Sequence, residues 1–208
     1  MFIFIANQES MILPATTWSY EFEKGKHVKP GTLLLAEPFM DDDNFRRAVV
    51  LICRNDADGT HGLLLNKPVD LRLQDVIENF PLSYEGKLML GGPVGTDLIQ
   101  VIHNRGTLIE GSLKIAEGVY WGGNFEQIKK LIRQGTLTTA HLRFFIGYAG
   151  WDEGQLDAEI KDSSWIISTG ANETLFYHHP ENMWRLKMQS MGGVYKSMAG
   201  YPESPMLN

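Results

Sequence analysis

The stretch that most constrains this chain runs from Leu142 to Ile160. Leu142 to Ile146 is an apolar run that reads as a strand. The next fourteen residues, Gly147-Tyr-Ala-Gly-Trp-Asp-Glu-Gly-Gln-Leu-Asp-Ala-Glu-Ile160, hold three glycines, two aromatics and four carboxylates. Gly147, Gly150 and Gly154 permit positive backbone dihedrals or close packing. Asp152 is placed as a helix N-cap, with Gln155 three residues on as its capping-box partner. Leu156 and Ile160 lie one turn apart and face a core. The predicted unit is a strand, a tight corner clamped by Tyr148 and Trp151, and a short amphipathic helix. Strand, glycine loop and helix start together resemble an anion site, but Asp152 and Glu153 bring negative charge to the same point and oppose phosphate. The functional alternative is a groove floored by the glycines and walled by Tyr148, Trp151 and the carboxylates.

The rest of the chain reads as strands with few helices. Thr32 to Ala36, Leu88 to Leu90, Leu98 to His103, Leu113 to Ile115, Val119 to Trp121, Trp165 to Ser168 and Leu175 to Tyr177 are predicted strands. Ala48 to Cys53 is a β-branched apolar run, expected to be buried on both faces and to form a hairpin-like pair with Gly62 to Leu65. Leu71 to Phe80 has roughly helical spacing. Asn124 to Gln134 is the clearest helix: Asn124 caps it, Gln127 completes a capping box, Phe125, Ile128, Leu131 and Ile132 form one face, and Gly135 suits a left-handed end. Pro180 starts a last helix with Trp184, Met188 and Met191 on one face. Met1 to Val28 is an extension and lead-in, and Met11 is an alternative start. Residues 29–193 form a single domain and 194–208 an extended tail.

Composition narrows the function classes. The formal net charge is -6 over 208 residues, so non-specific nucleic-acid binding is disfavoured. A single cysteine, Cys53, excludes an internal disulfide and suits a reducing cytoplasm. No apolar run approaches the length that spans a bilayer. Cys53 closes an apolar strand and reads as a small hydrophobe. No histidine pair has the spacing of a helical metal motif, and His178-His179 reads as an exposed loop pair. The Gly91-Gly92-Pro93-Val94-Gly95 stretch lacks the lysine of a P-loop and the third glycine of a dinucleotide fingerprint. It reads as a tight turn or, alternatively, a ligand-lining loop. Asn66-Lys67-Pro68 is either a strand-ending turn or a polar hook beside a groove.

These motifs together resemble the AlgH/YqgE family of small bacterial proteins. The segments that carry the resemblance are Gly31-Thr-Leu-Leu-Leu-Ala-Glu-Pro38, Phe45 to Cys53, Gly62-Leu-Leu-Leu-Asn-Lys-Pro68, Gly91-Gly-Pro-Val94, Gly147 through Glu159 and the Trp184 helix. Val119-Tyr-Trp-Gly-Gly123 and the proline-containing tail are similar to the version in Bacteroidetes-like bacteria. Many relatives carry Glu-His-Asn after Cys53, where this chain has Arg54-Asn55. The resemblance implies an α+β fold: a mixed, strongly bent sheet of about seven to nine strands with four or five helices packed around it. It implies little chemistry. One branch carries a transcriptional-regulator label, which no helix-turn-helix or basic stripe in this chain supports.

The expectation is therefore a cytoplasmic binding or regulatory protein with an unknown protein or small-molecule partner, monomeric or weakly dimeric. Its groove candidates are Gly147, Tyr148, Gly150, Trp151, Asp152, Glu153, Gly154, Gln155, Gly91, Gly92, Pro93, Asn66 and Lys67. No catalytic residue, cofactor or metal is assigned. The alternative is a hydrolase-type enzyme at the Gly-Tyr-Ala-Gly-Trp loop, using Asp152, Glu153 or Cys53.

Overall fold

A computed structural model describes residues 28–176 and 179–203. Nine strands build one bent sheet: β1 (Leu33–Ala36), β2 (Val49–Asp56), β3 (Gly59–Leu64), β4 (Leu88–Leu90), β5 (Val94–His103), β6 (Ser112–Ala116), β7 (Val119–Gly122), β8 (Leu142–Trp151) and β9 (Trp165–Ser168). Their order is β6-β7-β5-β8-β3-β2-β1-β9, and β4 pairs with β8 off this path. Only the β4–β8 pair is parallel among the described strands, so the sheet is mixed. Six α-helical segments are present among the described residues: α1 (Leu73–Val76), α2 (Phe125–Arg133), α3 (Gln155–Lys161), α4 (Ala171–Leu175), α5 (Met183–Met191) and α6 (Gly193–Met198). The α+β class and the strongly bent sheet match the expectation. Among the described residues, no helix is long and apolar enough to cross a membrane.

Three β-bulges bend the sheet, interrupting the register at Cys53 in β2, between Val94 and Ile99 in β5, and between Lys114 and Ala116 in β6. The curl brings β6 round to the lead-in of β1, where a Cβ on Gly31 would lie 2.7 Å from Ala116. Leu33, Leu51, Leu63, Phe145 and Ile115 therefore share one core on the inner face, capped by Trp184 and Met188 of α5. On the outer face, Phe144 and Val101 pack under Ile128 and Ile132 of α2. A third cluster joins Val50, Leu64 and Ala149 to Trp151, Trp165 and Leu156 of α3. Alternation along β8 feeds all three, which makes it the spine of the fold.

Several local expectations change. Leu71 to Phe80 forms only the single turn α1, because Leu71 and Val76 stay exposed and Asn79 takes φ +54. Leu175 closes helix α4 rather than opening a strand. Gly170 starts that helix with φ 85, Thr174 Oγ1 donates to its carbonyl, and Ala171 and Leu175 bury one turn apart. Tyr177 and His178 lie outside the described residues, as does the lead-in to His27. The tail expected to be extended from residue 194 instead begins in α6, and Tyr195 and Ala199 are buried against the inner core; residues 204–208 lie outside the described residues. Helix α2 forms as predicted, with the Gln127 amide donating to Asn124 Oδ1 at 3.0 Å and Gly135 at φ +72. Its capping box is half made, because the Gln127 side chain reaches Glu110 and Leu108 instead.

Candidate functional site

β8 continues through the whole of Gly147-Tyr-Ala-Gly-Trp151, so the corner falls later, at Asp152 to Gly154. Gly147 is a kink within the strand, at φ +69. It marks where one edge of β8 passes from β4 (Leu88 to Leu90 beside Phe144 to Ile146) to β3 (Thr60 to Gly62 beside Ala149 to Trp151). Gly91 fills the junction, donating to Ile146 O at 2.7 Å and accepting from Leu64 N at 2.9 Å. The two glycine motifs lock backbone to backbone. A Cβ on Gly91 would sit 2.2 Å from Gly147 O, one on Gly92 2.1 Å from Tyr148 C, and one on Gly147 2.5 Å from Gly92 O. These glycines have no space above them for a ligand. Pro93 follows them on the exposed surface.

The fourteen-residue motif divides across the two faces of β8. On the outer face Trp151 and Trp165 both donate their indole N–H to Glu159 Oε2, at 2.8 and 2.7 Å, and Gln155 donates to Oε1 at 2.9 Å. Phe45 stacks on Trp151 and meets Trp165 edge-on. Glu159 is thus a strut that fixes two indoles. At the corner, Gly154 at φ 73 is the N-cap of α3, with no side-chain capping bond. The expected cap by Asp152 does not form; Gln155 alone completes its half, accepting from the Asp152 amide at 3.0 Å. Asp152, Glu153 and Gly154 line a cleft of ≈ 260 Å³ with the Asp56 to Thr60 turn. Among the described residues no group of three or more His, Cys, Asp or Glu is placed to hold a metal.

Tyr148 points the other way, onto the inner face, and meets two residues absent from the sequence-based candidates. His61 of β3 stacks on Tyr148 with ring centroids 4.2 Å apart, and Trp121 of β7 lies 5.0 Å beyond His61. Gln100 of β5 ties the row together: the Trp121 indole N–H donates to its Oε1 at 2.9 Å and His61 Nε2 contacts the same oxygen at 3.0 Å. An indole nitrogen only donates, so Trp121 fixes which end of the amide faces it. His61 Nε2 must then also carry a proton, and Nδ1 holds the lone pair. Burial, the larger cause, and the Arg54 guanidinium lower the His61 pKa, against a smaller opposing effect of Gln100. The ring is therefore neutral at neutral pH. Neither Nδ1 nor the Tyr148 hydroxyl has a hydrogen-bond partner among the described residues. All three rings and Gln100 are only partly buried.

Glycine makes room for this row. A Cβ on Gly95 or on Gly150 would stand 3.1 Å from the Tyr148 ring. The β5 bulge supplies Gly95 at φ +57 and carries Val94 and Leu98 beside it, both exposed. The Cys53 bulge sets Arg54, rather than Cys53, opposite His61. Cys53 itself is buried, and burial pushes its thiol pKa well up, so it cannot serve as a thiolate nucleophile.

The remaining candidates lie at the opposite end of the sheet. Asn66 is a buried hook: its Oδ1 accepts from Val49 N at 2.9 Å and its Nδ2 donates to Arg47 O at 2.8 Å. Lys67 Nζ donates to Arg46 O at 2.8 Å. The thirteen residues predicted for one groove thus occupy five places, and Tyr148 alone joins the aromatic row. His61 was within reach of sequence reasoning: extending the Gly62 to Leu65 strand back by one residue puts it on the face of Leu63 and Leu65. Its meeting with Trp121, across two intervening strands, depends on the curl.

The sequence model of the AlgH-like family matches residues 33–196. A UPF0301 protein of Cytophaga hutchinsonii is 42% identical over 179 residues, 86% of this chain and 98% of that one. A UPF0301 protein of Chlorobaculum tepidum is 40% identical over 181 residues, covering 87% and 96%. Among solved structures, the solution structure of AlgH from Pseudomonas aeruginosa superposes with TM-score 0.66 at 26% identity, covering 85% and 98%. Protein DIP2367 of Corynebacterium diphtheriae gives TM-score 0.72 at 21% identity, covering 85% and 94%.

Proposed function

This chain belongs to the AlgH-like family, and we propose that it is a binding protein whose ligand lies against the Tyr148–His61–Trp121 row. The observation that carries the reading is the row itself: three rings in continuous contact, held by one glutamine and left half-open on the inner face. Stacked rings with one wet edge present a flat apolar surface and a few polar tips, the usual lining of a small-molecule site. The lone pair of His61 Nδ1 and the Tyr148 hydroxyl would orient the ligand. The fitting class is a flat conjugated small molecule carrying a hydrogen-bond donor.

A hydrolytic reading is favoured by one feature only, the neutral His61, which could accept a proton from water. The motif's other candidates lie away from that row: Cys53 is buried with its thiol pKa pushed up, Glu159 is engaged by two indoles, and Asp152 and Glu153 lie in a separate cleft. The regulatory role follows from binding without turnover. The single reduced thiol supports a cytoplasmic location. The acidic net charge of -6 argues against direct nucleic-acid contact and leaves a small-molecule or protein partner. A monomer or weak homodimer is the matching state.

The test is affinity capture from native cell extract with bound metabolites identified by mass spectrometry. The wild-type chain should retain a conjugated small molecule that the Tyr148→Ala, Trp121→Ala double variant releases. Equal retention by both would remove the support for the row as the site.

A further inference from the structure

A second cleft, of ≈ 560 Å³, lies at the far end of the sheet between the Asp43 to Arg47 turn, the Asn66-Lys67 turn and the start of α5. The chain builds this wall at some cost. Arg47 takes φ +51, a strained backbone for a side chain of its size, and the buried Asn66 hook holds it there. Its guanidinium lies 4.9 Å over the Trp184 ring, and the Trp184 indole is itself pinned to Ala36 O at 2.8 Å. Arg47 is thus placed by packing from beneath. Its donors are incompletely used. One terminal nitrogen donates to Tyr201 O, while Nε is buried and has no acceptor among the described residues. A buried, unmatched guanidinium donor in a native fold requires an explanation.

The open side of the cleft is lined by charge. Arg46, Arg47, Lys67 and Arg185 line the cleft, facing the carboxylates of Asp43, Glu181 and Glu203. Asp43 is committed to Arg46 at 2.7 Å, and Glu181 to His179 at 3.2 Å. Glu203 is different. It comes from the C-terminal segment, its side chain is 70% exposed, and it stands 3.9 Å from Arg47, at the outer limit of an ion pair. It also acts on Lys67, whose pKa is lowered chiefly by burial and raised in part by Glu203. One loosely held carboxylate thus sits before both the strained arginine and the half-buried lysine.

We propose that this cleft is an anion site for a small carboxylic acid, and that Glu203 occupies the place of the ligand's carboxylate as an internal competitor. A planar guanidinium fork matches a carboxylate in bidentate geometry, and of the two terminal nitrogens of Arg47 only one donates a hydrogen bond among the described residues, to Tyr201 O. Lys67 Nζ keeps two of its three donors after bonding Arg46 O. The carboxylate class follows from Glu203, whose own carboxylate already stands before Arg47 and acts on Lys67. This site is independent of the aromatic row and stands or falls without it.

The test is a titration of the full-length ¹⁵N-labelled chain with sodium acetate, inorganic phosphate and sodium chloride in turn, at constant ionic strength, following the Arg47 Nε–H resonance. Acetate should shift that resonance saturably, and chloride should not. Glu203→Gln should tighten acetate by roughly two- to fivefold, the size of a surface ion pair. Lys67→Gln should weaken it by about tenfold, the size of a charge-assisted hydrogen bond. Lys67 bonds the turn only through Arg46 O, a contact the amide of Lys67→Gln can still donate to, so this variant reports on the ligand contact with the turn kept in place. A linear acetate shift, or one unchanged in Lys67→Gln, would overturn the site. Tighter binding of phosphate than of acetate would overturn its assignment to carboxylates.

Discussion

The two faces of β8 use the same fourteen-residue motif in opposite ways. On the outer face Trp151 and Trp165 are buried, their indole N–H groups share one carboxylate oxygen, and Phe45 closes the cluster. On the inner face Tyr148, His61 and Trp121 form a comparable aromatic group, also organised by a shared oxygen, yet all three stay partly exposed, with two polar groups unmatched among the described residues. The outer cluster is finished and the inner one is open. An aromatic-rich motif is therefore not evidence of a site by itself. What separates structure from function is whether the rings and their polar tips are fully used.

The sharpest way to break that comparison is at the glycine lock that separates the faces. Gly147→Ala places a side chain at φ +69 with its Cβ 2.5 Å from Gly92 O, and should cost more than about 3 kcal/mol or abolish folding. Urea unfolding would read this, and a loss below about 1 kcal/mol would show that the lock yields. Next in size is Glu159→Ala. It strands two indole donors and removes a third bond, for a predicted loss of about 2–4 kcal/mol. Glu159→Gln should recover part of it, since the amide keeps an acceptor oxygen. The same measurement on Tyr148→Ala should give only about 1 kcal/mol, because the ring is half-open. If Tyr148→Ala costs as much as Glu159→Ala, the two faces are equally structural and the contrast disappears.

The smallest effect concerns pH. His61 and the fully buried His103 both have folded pKa values lowered below 6.5, chiefly by burial. The unfolded chain then binds protons that the folded chain refuses, so stability is constant above about pH 6.5 and falls as pH drops through that value. The urea midpoint should decline between pH 7 and pH 5 with an unchanged slope, and His61→Gln should flatten part of that decline. A midpoint that rises on acidification would contradict the assignment of a neutral, desolvated row.

Much of the fold was legible because the strands carry strong signals. The capped α2 and the Trp165 to Ser168 strand emerged near their predicted limits, and the Ala48 to Cys53 run formed a strand that continues to Asp56. The site was harder, for identifiable reasons. Glycine density at Gly91-Gly92 and Gly147 looks the same whether it opens space for a ligand or lets two backbones touch, and here the backbones touch. Asp152 had cap chemistry, but Gly154 took the N-cap position in a left-handed conformation that Asp152 would have resisted. His61 and Trp121 lie sixty residues apart in sequence and are joined only because bulges in β2, β5 and β6 curl the sheet. Their strands were visible, but the curl that brings them together was not. The family resemblance supplied the bent sheet and left the residues of the site unassigned.

The most direct test of the open row is an NMR titration of the ¹⁵N-labelled chain with a set of flat heteroaromatic fragments, watching the Trp121 indole N–H and the His61 ring nitrogens. A binding row predicts that at least one fragment shifts the Trp121 signal saturably, leaves the buried Trp151 and Trp165 indoles still, and loses its effect in Tyr148→Ala. Saturable shifts centred on the Trp151 and Trp165 indoles, or a Trp121 response that survives Tyr148→Ala, would contradict the account.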